Sequence, residues 1–241
     1  IAIDDLNDWL GCYEGHPQVV TPHIDRLAER GILFSNAHCA APVCKSSRTA
    51  VFSGRHPVQT GVYGNGDPNI EKLHPDTVFL THVFEEAGYD IAGTGKMLHG
   101  NAKAIFEEYF YPEQRWSPFT KEQVRYTEEE LPSKGTDNPA TVIKNGPGGK
   151  DYQLPPNRMP SDRNPTTLSA ESFDWGAFDV PDDAMGEGRI TDWAIEQLNQ
   201  PREKPLFLGV GYYRPHIPLW APEQDFDRYP TRLQSYYDLP W

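Results

Sequence analysis

Several things are scarce in this 241-residue sequence, and each scarcity excludes something. Cysteine occurs three times, at Cys12, Cys39 and Cys44. That is too few for a disulfide-built scaffold and leaves room for one pair at most. No run of 18 or more apolar residues is present, so no membrane-spanning helix is expected. Basic residues are outnumbered: 22 Lys and Arg face 35 Asp and Glu, a formal charge of −13. A nucleic-acid partner needs a concentrated basic surface and is therefore not expected. A small anionic substrate stays open, because a few cations can dominate one cleft. Internal repeats are also missing, and no secretory-leader pattern is read in residues 1–241, which says nothing of compartment. The chain opens on Ile1-Ala2-Ile3-Asp4-Asp5, which reads as the tail of a strand, so polypeptide before residue 1 is expected.

What is present is globular. Hydrophobic residues make up 37% and charged residues 24%, enough apolar side chain for a packed core. The first hundred residues alternate between strand and helix signals. Ile1–Ile3 end a buried strand. Thr21-Pro22 opens a helix, Thr as N-cap and Pro in the first turn. Ile24, Leu27 and Ala28 give it an apolar face, and Gly31 ends it. A strand is expected at Ile32–Phe34 and a helix from about Ser46 to Phe52, stopped by Gly54. Another helix is expected from Thr77, with Leu80, Val83, Phe84 and Ala87 on one face and Gly88 as terminator. Tyr89–Ala92 reads as the next strand. The stretch from about 101 to 186 holds ten of the 23 prolines and little periodicity, and reads as a loop-rich insertion. Regular signals return at Arg189–Asn199, where Ile190, Trp193, Ala194 and Leu198 share a helical face, and at the apolar strand Leu206–Val210.

This alternation predicts an α/β fold, a mostly parallel central sheet with helices on both faces. In such sheets, sites gather beyond the carboxyl ends of strands. Asp4-Asp5, Gly93–His99 and Tyr212–His216 all fall there. Adjacent carboxylates after a strand suit a hard divalent cation such as calcium or magnesium, or simply mark a strand end turning into solvent. Cys44-Lys45-Ser46-Ser47-Arg48 places a thiol at a helix start beside two basic residues. That setting favours the thiolate and suits a bound oxyanion, and it is equally the setting of a small buried loop cysteine. Trp175, Trp193, Trp220 and Tyr229 fit packing better than a sugar cleft.

Taken together, these elements resemble the type I sulfatases of the alkaline-phosphatase-like superfamily. That family's signature is Cys, any residue, Pro, Ser, Arg, then Thr/Ser-Gly-Arg; here stand Cys44, Ser47, Arg48 and Ser53-Gly54-Arg55. Thr21-Pro22-His23-Ile24-Asp25-Arg26-Leu27-Ala28 resembles the segment before the signature. Asp4-Asp5 resembles the first metal pair and Gly95-Lys96-Met97-Leu98-His99 the Gly-Lys and His element. Arg214-Pro215-His216-Ile217-Pro218 is similar to the histidine element of iduronate-2-sulfatase-like members. One position departs: the family's proline is Ser46, and the machinery that modifies the cysteine usually wants that proline.

The resemblance implies the N-terminal part of a single catalytic domain over residues 1–241, the insertion included. It also implies a sulfuric ester hydrolase acting on a sulfated sugar or glycosaminoglycan. Cys44 is then oxidised to formylglycine by a formylglycine-generating enzyme. The hydrated aldehyde attacks sulfur, and a second hydroxyl expels sulfate. Asp4, Asp5 and modified Cys44 hold Ca2+, or Mg2+ in its place. Arg48 holds the nucleophile, Lys96 meets a sulfate oxygen, His99 is the base of the second step, and His216 contacts sulfate or protonates the leaving oxygen. A second metal pair and a further Lys are expected beyond residue 241, since Asp137-Asn138 lacks a preceding strand. An extracytoplasmic setting is the family's usual one. Two other readings stay open: a phosphate or phosphonate monoester hydrolase on the same fold, and a non-catalytic anion- or glycan-binding homologue.

Overall fold

The computed structural model describes residues 1–100, 102–114, 117–120, 141–154, 156–157 and 174–229. Four strands form the central sheet: β1 (Ala2–Ile3), β2 (Asp90–Gly95), β3 (Glu108–Phe110) and, late in the chain, Leu206–Tyr212. Between β3 and that late strand lie a hairpin of β4 (Thr141–Ile143) and β5 (Tyr152–Leu154), then β6 (Trp175–Phe178). The late strand is therefore β7, and β8 (Leu219–Pro222) pairs with β6. The order across the central sheet is β1-β7-β2-β3 and every pairing in it is parallel. The helices are α1 (Pro22–Arg30), α2 (Cys44–Ser53), α3 (Pro57–Thr60), α4 (Ile70–Leu73), α5 (Leu80–Glu86), α6 (Gly186–Asn199) and α7 (Glu223–Phe226). No helix among the described residues is long and apolar enough to cross a membrane.

Strand alternation puts helices on both faces, the architecture expected from the sequence. On β7, Phe207 packs with Phe52, Phe79, Ile91 and Phe106, the cluster that also receives Phe84 of α5. Leu208 and Val210 turn the other way, onto Ile190 and Ala194 of α6. The buried positions of α6, Gly186, Ile190, Ala194 and Gln197, recur at three- and four-residue spacing and make its inward stripe. A third cluster joins Phe119, Ile143, Phe178, Met185 and Trp220.

Local expectations fare unevenly. α1 and α2 stand where the sequence placed them, with Gly54 in a left-handed conformation (φ 65°) after α2. Thr21 makes no side-chain cap bond; its hydroxyl donates to Asp25 and accepts from the Gly11 amide. Ile32–Phe34 is not a strand. Ile32 and Phe34 are 82% and 69% exposed, because an apolar triplet becomes a strand only beside a free ladder partner. α5 starts at Leu80, not Thr77, whose hydroxyl instead donates to the His74 carbonyl. Its Leu80 and Val83 are exposed, while Phe84 faces the core. α6 begins at Gly186, earlier than read, and turns Leu198 to solvent with Gln197 buried in its place. The stretch read as a loop-rich insertion contributes β3 to the main sheet, which three-residue strands without strong periodicity do not announce. Asp137-Asn138 lies outside the described residues. Trp193 stacks on Phe110 and Trp220 packs on Phe178, so both serve packing. All three cysteines are free thiols.

Candidate active site

The carboxyl ends of three neighbouring strands converge. Asp4 follows β1, and its amide still donates to the Tyr212 carbonyl at 3.1 Å. Lys96 follows β2, its amide donating to the Gly211 carbonyl at 2.7 Å. His216 follows β7, on a turn with cis peptides at Arg214-Pro215 and Ile217-Pro218. Gly95 leaves the sheet with φ 71°, and a Cβ at Gly95 or Gly211 would strike the other strand's backbone. This close approach lets β2 and β7 deliver Lys96 and His216 to one place.

α2 supplies the other half. Cys44 is its first residue and Arg48 lies one turn on, so both side chains project from one face. Arg48 reaches the Asp4 carboxylate at 2.7 Å and donates to the carbonyls of Lys96 and of Met97, the latter at 3.3 Å. The Lys96 ammonium pairs with the other Asp4 oxygen and stands 3.6 Å from the Cys44 sulfur. These groups are withdrawn from water: the side chains of Lys96, Asp4 and Arg48 are 2%, 6% and 11% exposed. The arrangement has two basic side chains and one carboxylate, a local surplus of positive charge in a chain that is acidic as a whole.

The titrating groups respond accordingly. A hydrogen bond from His216 holds the Cys44 thiol below its ordinary range against the opposing effect of burial, and Lys96 adds to the lowering. The same bond raises His216 above the usual imidazole value, against burial, helped by the Ile217 carbonyl. That carbonyl lies 2.8 Å from His216 Nδ1 and can only accept, so Nδ1 carries a proton and Nε2 is left for Cys44. Burial works to raise Asp4; the bonds and charges of Lys96 and Arg48 outweigh it and hold Asp4 below the usual carboxylate range.

Of the seven residues read from the sequence, Asp4, Cys44, Arg48, Lys96 and His216 come together. Ligand atoms of Asp4, Cys44 and His216 lie within 4.8 Å of one another. Asp5 is exposed, in a left-handed turn (φ 60°), and belongs to the next position of the chain rather than to that trio. His99 lines a small crevice with Lys45, Thr49 and Asn69, and none of the five converging residues lines it. A hard divalent cation prefers oxygen. The donors fit one in kind through the buried Asp4 carboxylate and an oxygen in place of the Cys44 sulfur; the exposed Asp5 is next in the chain but outside the grouped ligand atoms. With the thiol retained, the trio offers one oxygen, one nitrogen and one sulfur.

Two features escaped the sequence. Glu187, at the start of α6, accepts from the amides of Tyr213 and Arg214 and so braces the turn before His216. A cavity of about 620 Å3, lined by Glu187, Arg214, Trp220, Asp182, Asp192 and Asp225 among others, opens behind that turn. None of the five converging side chains lines it.

Comparison with known proteins places the chain among relatives. The family model described as Sulfatase matches residues 1–238. A sulfatase of Formosa agariphila is 31% identical over 247 residues, a match covering 100% of this chain and 43% of that protein. The iduronate 2-sulfatase of Mus musculus is 30% identical, with 99% of this chain and 37% of the relative covered. The chain thus spans about two fifths of the length of these relatives. Among solved structures, the phosphonate monoester hydrolase of Agrobacterium radiobacter superposes with a TM-score of 0.60 at 18% identity, over 95% of this chain and 43% of that one. At that identity the likeness speaks to the fold alone.

Proposed function

The chain belongs to the sulfatase family, and from that premise we propose that it forms the N-terminal part of a sulfuric ester hydrolase acting on a sulfated sugar. Residues 1–241, the stretch at 101–186 included, are on this reading part of one catalytic domain. The observation that carries the proposal is the surplus of buried positive charge around Cys44, contributed by Arg48 and Lys96 against the single carboxylate of Asp4. Such a site stabilises a sulfate group whose charge grows as the ester bond breaks, and it costs little reorganisation because the cations are already held.

Cys44 is the precursor of formylglycine, produced by a formylglycine-generating enzyme. That group, when present, would supply a hydrated aldehyde: one oxygen to attack sulfur, and a second hydroxyl whose loss of a proton would re-form the aldehyde as sulfate leaves with the first oxygen. Calcium, or magnesium in its place, would be held by Asp4, Asp5 and the oxygen of modified Cys44, and would draw charge from sulfate oxygens. The chain's own residues do the rest. Lys96 meets a sulfate oxygen as a point charge on a rigid turn. Arg48 fixes the Asp4 carboxylate and neutralises charge beside residue 44. His216, protonated on Nδ1 toward the Ile217 carbonyl, faces residue 44 through Nε2 and gives its second proton to the leaving oxygen, turning alkoxide into alcohol. His99 is assigned the base of the second step.

The 2-sulfated uronic acid implied by the name of the iduronate 2-sulfatase relative is the proposed substrate class. An extracytoplasmic setting goes with it.

Mass spectrometry of the Cys44 peptide from the native host, run beside hydrolysis of matched aryl sulfate and aryl phosphate, tests the reading. Conversion to the aldehyde with preferential sulfate ester cleavage is expected. An intact thiol with no turnover would leave an anion-binding homologue. Faster phosphate cleavage would move the protein to the phosphate or phosphonate hydrolases.

A further inference from the structure

The turn that carries Lys96 is held by a residue outside every motif. Tyr109, on β3, donates its hydroxyl hydrogen to the Gly95 carbonyl at 2.7 Å and accepts from the Met97 amide at 3.2 Å. Lys96 lies between these two anchor points. Its amide is taken by the Gly211 carbonyl, and its carbonyl, with that of Met97, receives Arg48. Without Tyr109, the Gly95 carbonyl and the Met97 amide would each lose this partner where water has little access. Burial pushes the Tyr109 phenol far above its ordinary range, so it stays a neutral donor at any working pH. Its ring is wedged between Phe106 and Tyr111, with centroids 5.1 and 4.6 Å away.

We propose that Tyr109 is a positioning residue for the anion site, its hydroxyl clamping the Gly95–Met97 turn so that the Lys96 ammonium stands beside residue 44. This rests on the reading of Lys96 as a sulfate contact. Tyr111 offers a matched comparison: its hydroxyl donates to the Gly100 carbonyl and accepts from the Ala102 amide, a clamp of the same kind that spans no charged side chain of the cluster.

The test uses the full natural polypeptide and inorganic sulfate as probe. Tyr109→Phe keeps the ring and removes only the hydroxyl. It should weaken sulfate binding by about tenfold, the loss expected for two neutral hydrogen bonds acting on one geometry, whereas Tyr111→Phe should change it by less than about twofold at a similar fall in Tm. In a Lys96→Met background, Tyr109→Phe should add nothing, because its effect runs through the ammonium. Unchanged sulfate affinity in Tyr109→Phe, an equal loss in Tyr111→Phe, or full additivity with Lys96→Met overturns the inference. Sulfate affinity untouched by Lys96→Met itself overturns the assignment of Lys96, and the inference with it. Amide exchange in the unaltered protein covers the case in which Tyr109→Phe does not fold. The Met97 amide should exchange as slowly as the β2 amides, and exchange at the rate of an open loop refutes the clamp.

Discussion

Removing Asp4 should cost far more than removing either cation it pairs with. Asp4→Ala leaves Lys96, 2% exposed, and Arg48, 11% exposed, facing each other without an anion. Stranding a buried charge in this way costs about 3–5 kcal/mol. Arg48→Ala leaves Asp4 still paired with Lys96 and forfeits hydrogen bonds to two carbonyls, a loss of about 1–3 kcal/mol. Urea unfolding followed by tryptophan fluorescence reads both, and the gap between the variants should be about 2 kcal/mol. Sulfate adds a second arm. At 100 times its Kd a bound ligand stabilises by about 2.7 kcal/mol, and sulfate should recover more stability in Asp4→Ala than in the parent, because it replaces the missing charge. The pH dependence has a definite sign. Asp4 is depressed in the folded protein, so its contribution is complete above the unfolded carboxylate value near pH 4 and disappears as pH falls through the lower folded value. The two stability curves should therefore converge in acid. Equal costs for Asp4→Ala and Arg48→Ala, or identical sulfate shifts, would refute the picture of one carboxylate holding two cations.

Further outcomes follow from the same geometry. In unconverted protein, iodoacetamide should label half-buried Cys44 faster than exposed Cys39 near neutral pH, since His216 and Lys96 favour the thiolate. His216→Ala should abolish that preference, and alkylation rates against pH decide it. Gly211→Ala should lower Tm and activity together, by roughly 1–3 kcal/mol of stability or more, because the added methyl meets the Lys96 backbone; circular dichroism melting and turnover check it. Chelation should remove activity, and calcium should restore it better than magnesium if seven or so flexible oxygen ligands are available in the whole enzyme; atomic absorption of the active protein identifies the ion. The Ser46 hydroxyl is buried with no hydrogen-bond partner, so Ser46→Ala should leave stability unchanged or raise it by about 1 kcal/mol. Ser46→Pro, at the third residue of α2 where a helix amide needs no partner, should increase conversion of Cys44, read by peptide mass spectrometry.

Much of the site was legible because its parts are local. A strand of apolar residues running into Asp4, a helix read from about Ser46 with Cys44 just before it and Arg48 in its first turn, and Lys96 just past the β2 apolar run each show themselves within ten residues. The misread elements needed information from elsewhere. Ile32–Phe34 has strand-like side chains but no partner strand, and pairing is a property of two segments. Glu108–Phe110 has only three residues of strand, yet it finds Ala92–Thr94 across the sheet. Leu198 and Gln197 exchanged roles because the surface α6 packs on, not the helix period, chooses which neighbour is covered. In the same way, Glu187 and Tyr109 act through backbone groups of distant turns and leave no trace in spacing.

From its residues alone, this chain declared an α/β sheet with chemistry at the strand ends and a cysteine set among cations. These follow from side-chain periodicity and helix-start chemistry, which act over a few neighbours. Which of the seven candidates come together was decided only by folding. The parallel order β1-β7-β2 brings residues 4, 96 and 216 side by side from three distant stretches of chain, while Asp5, one peptide bond away from Asp4, is exposed. Proximity of that kind comes from strand pairing and backbone approach at Gly95 and Gly211, and those are interactions between segments that no single stretch of sequence contains.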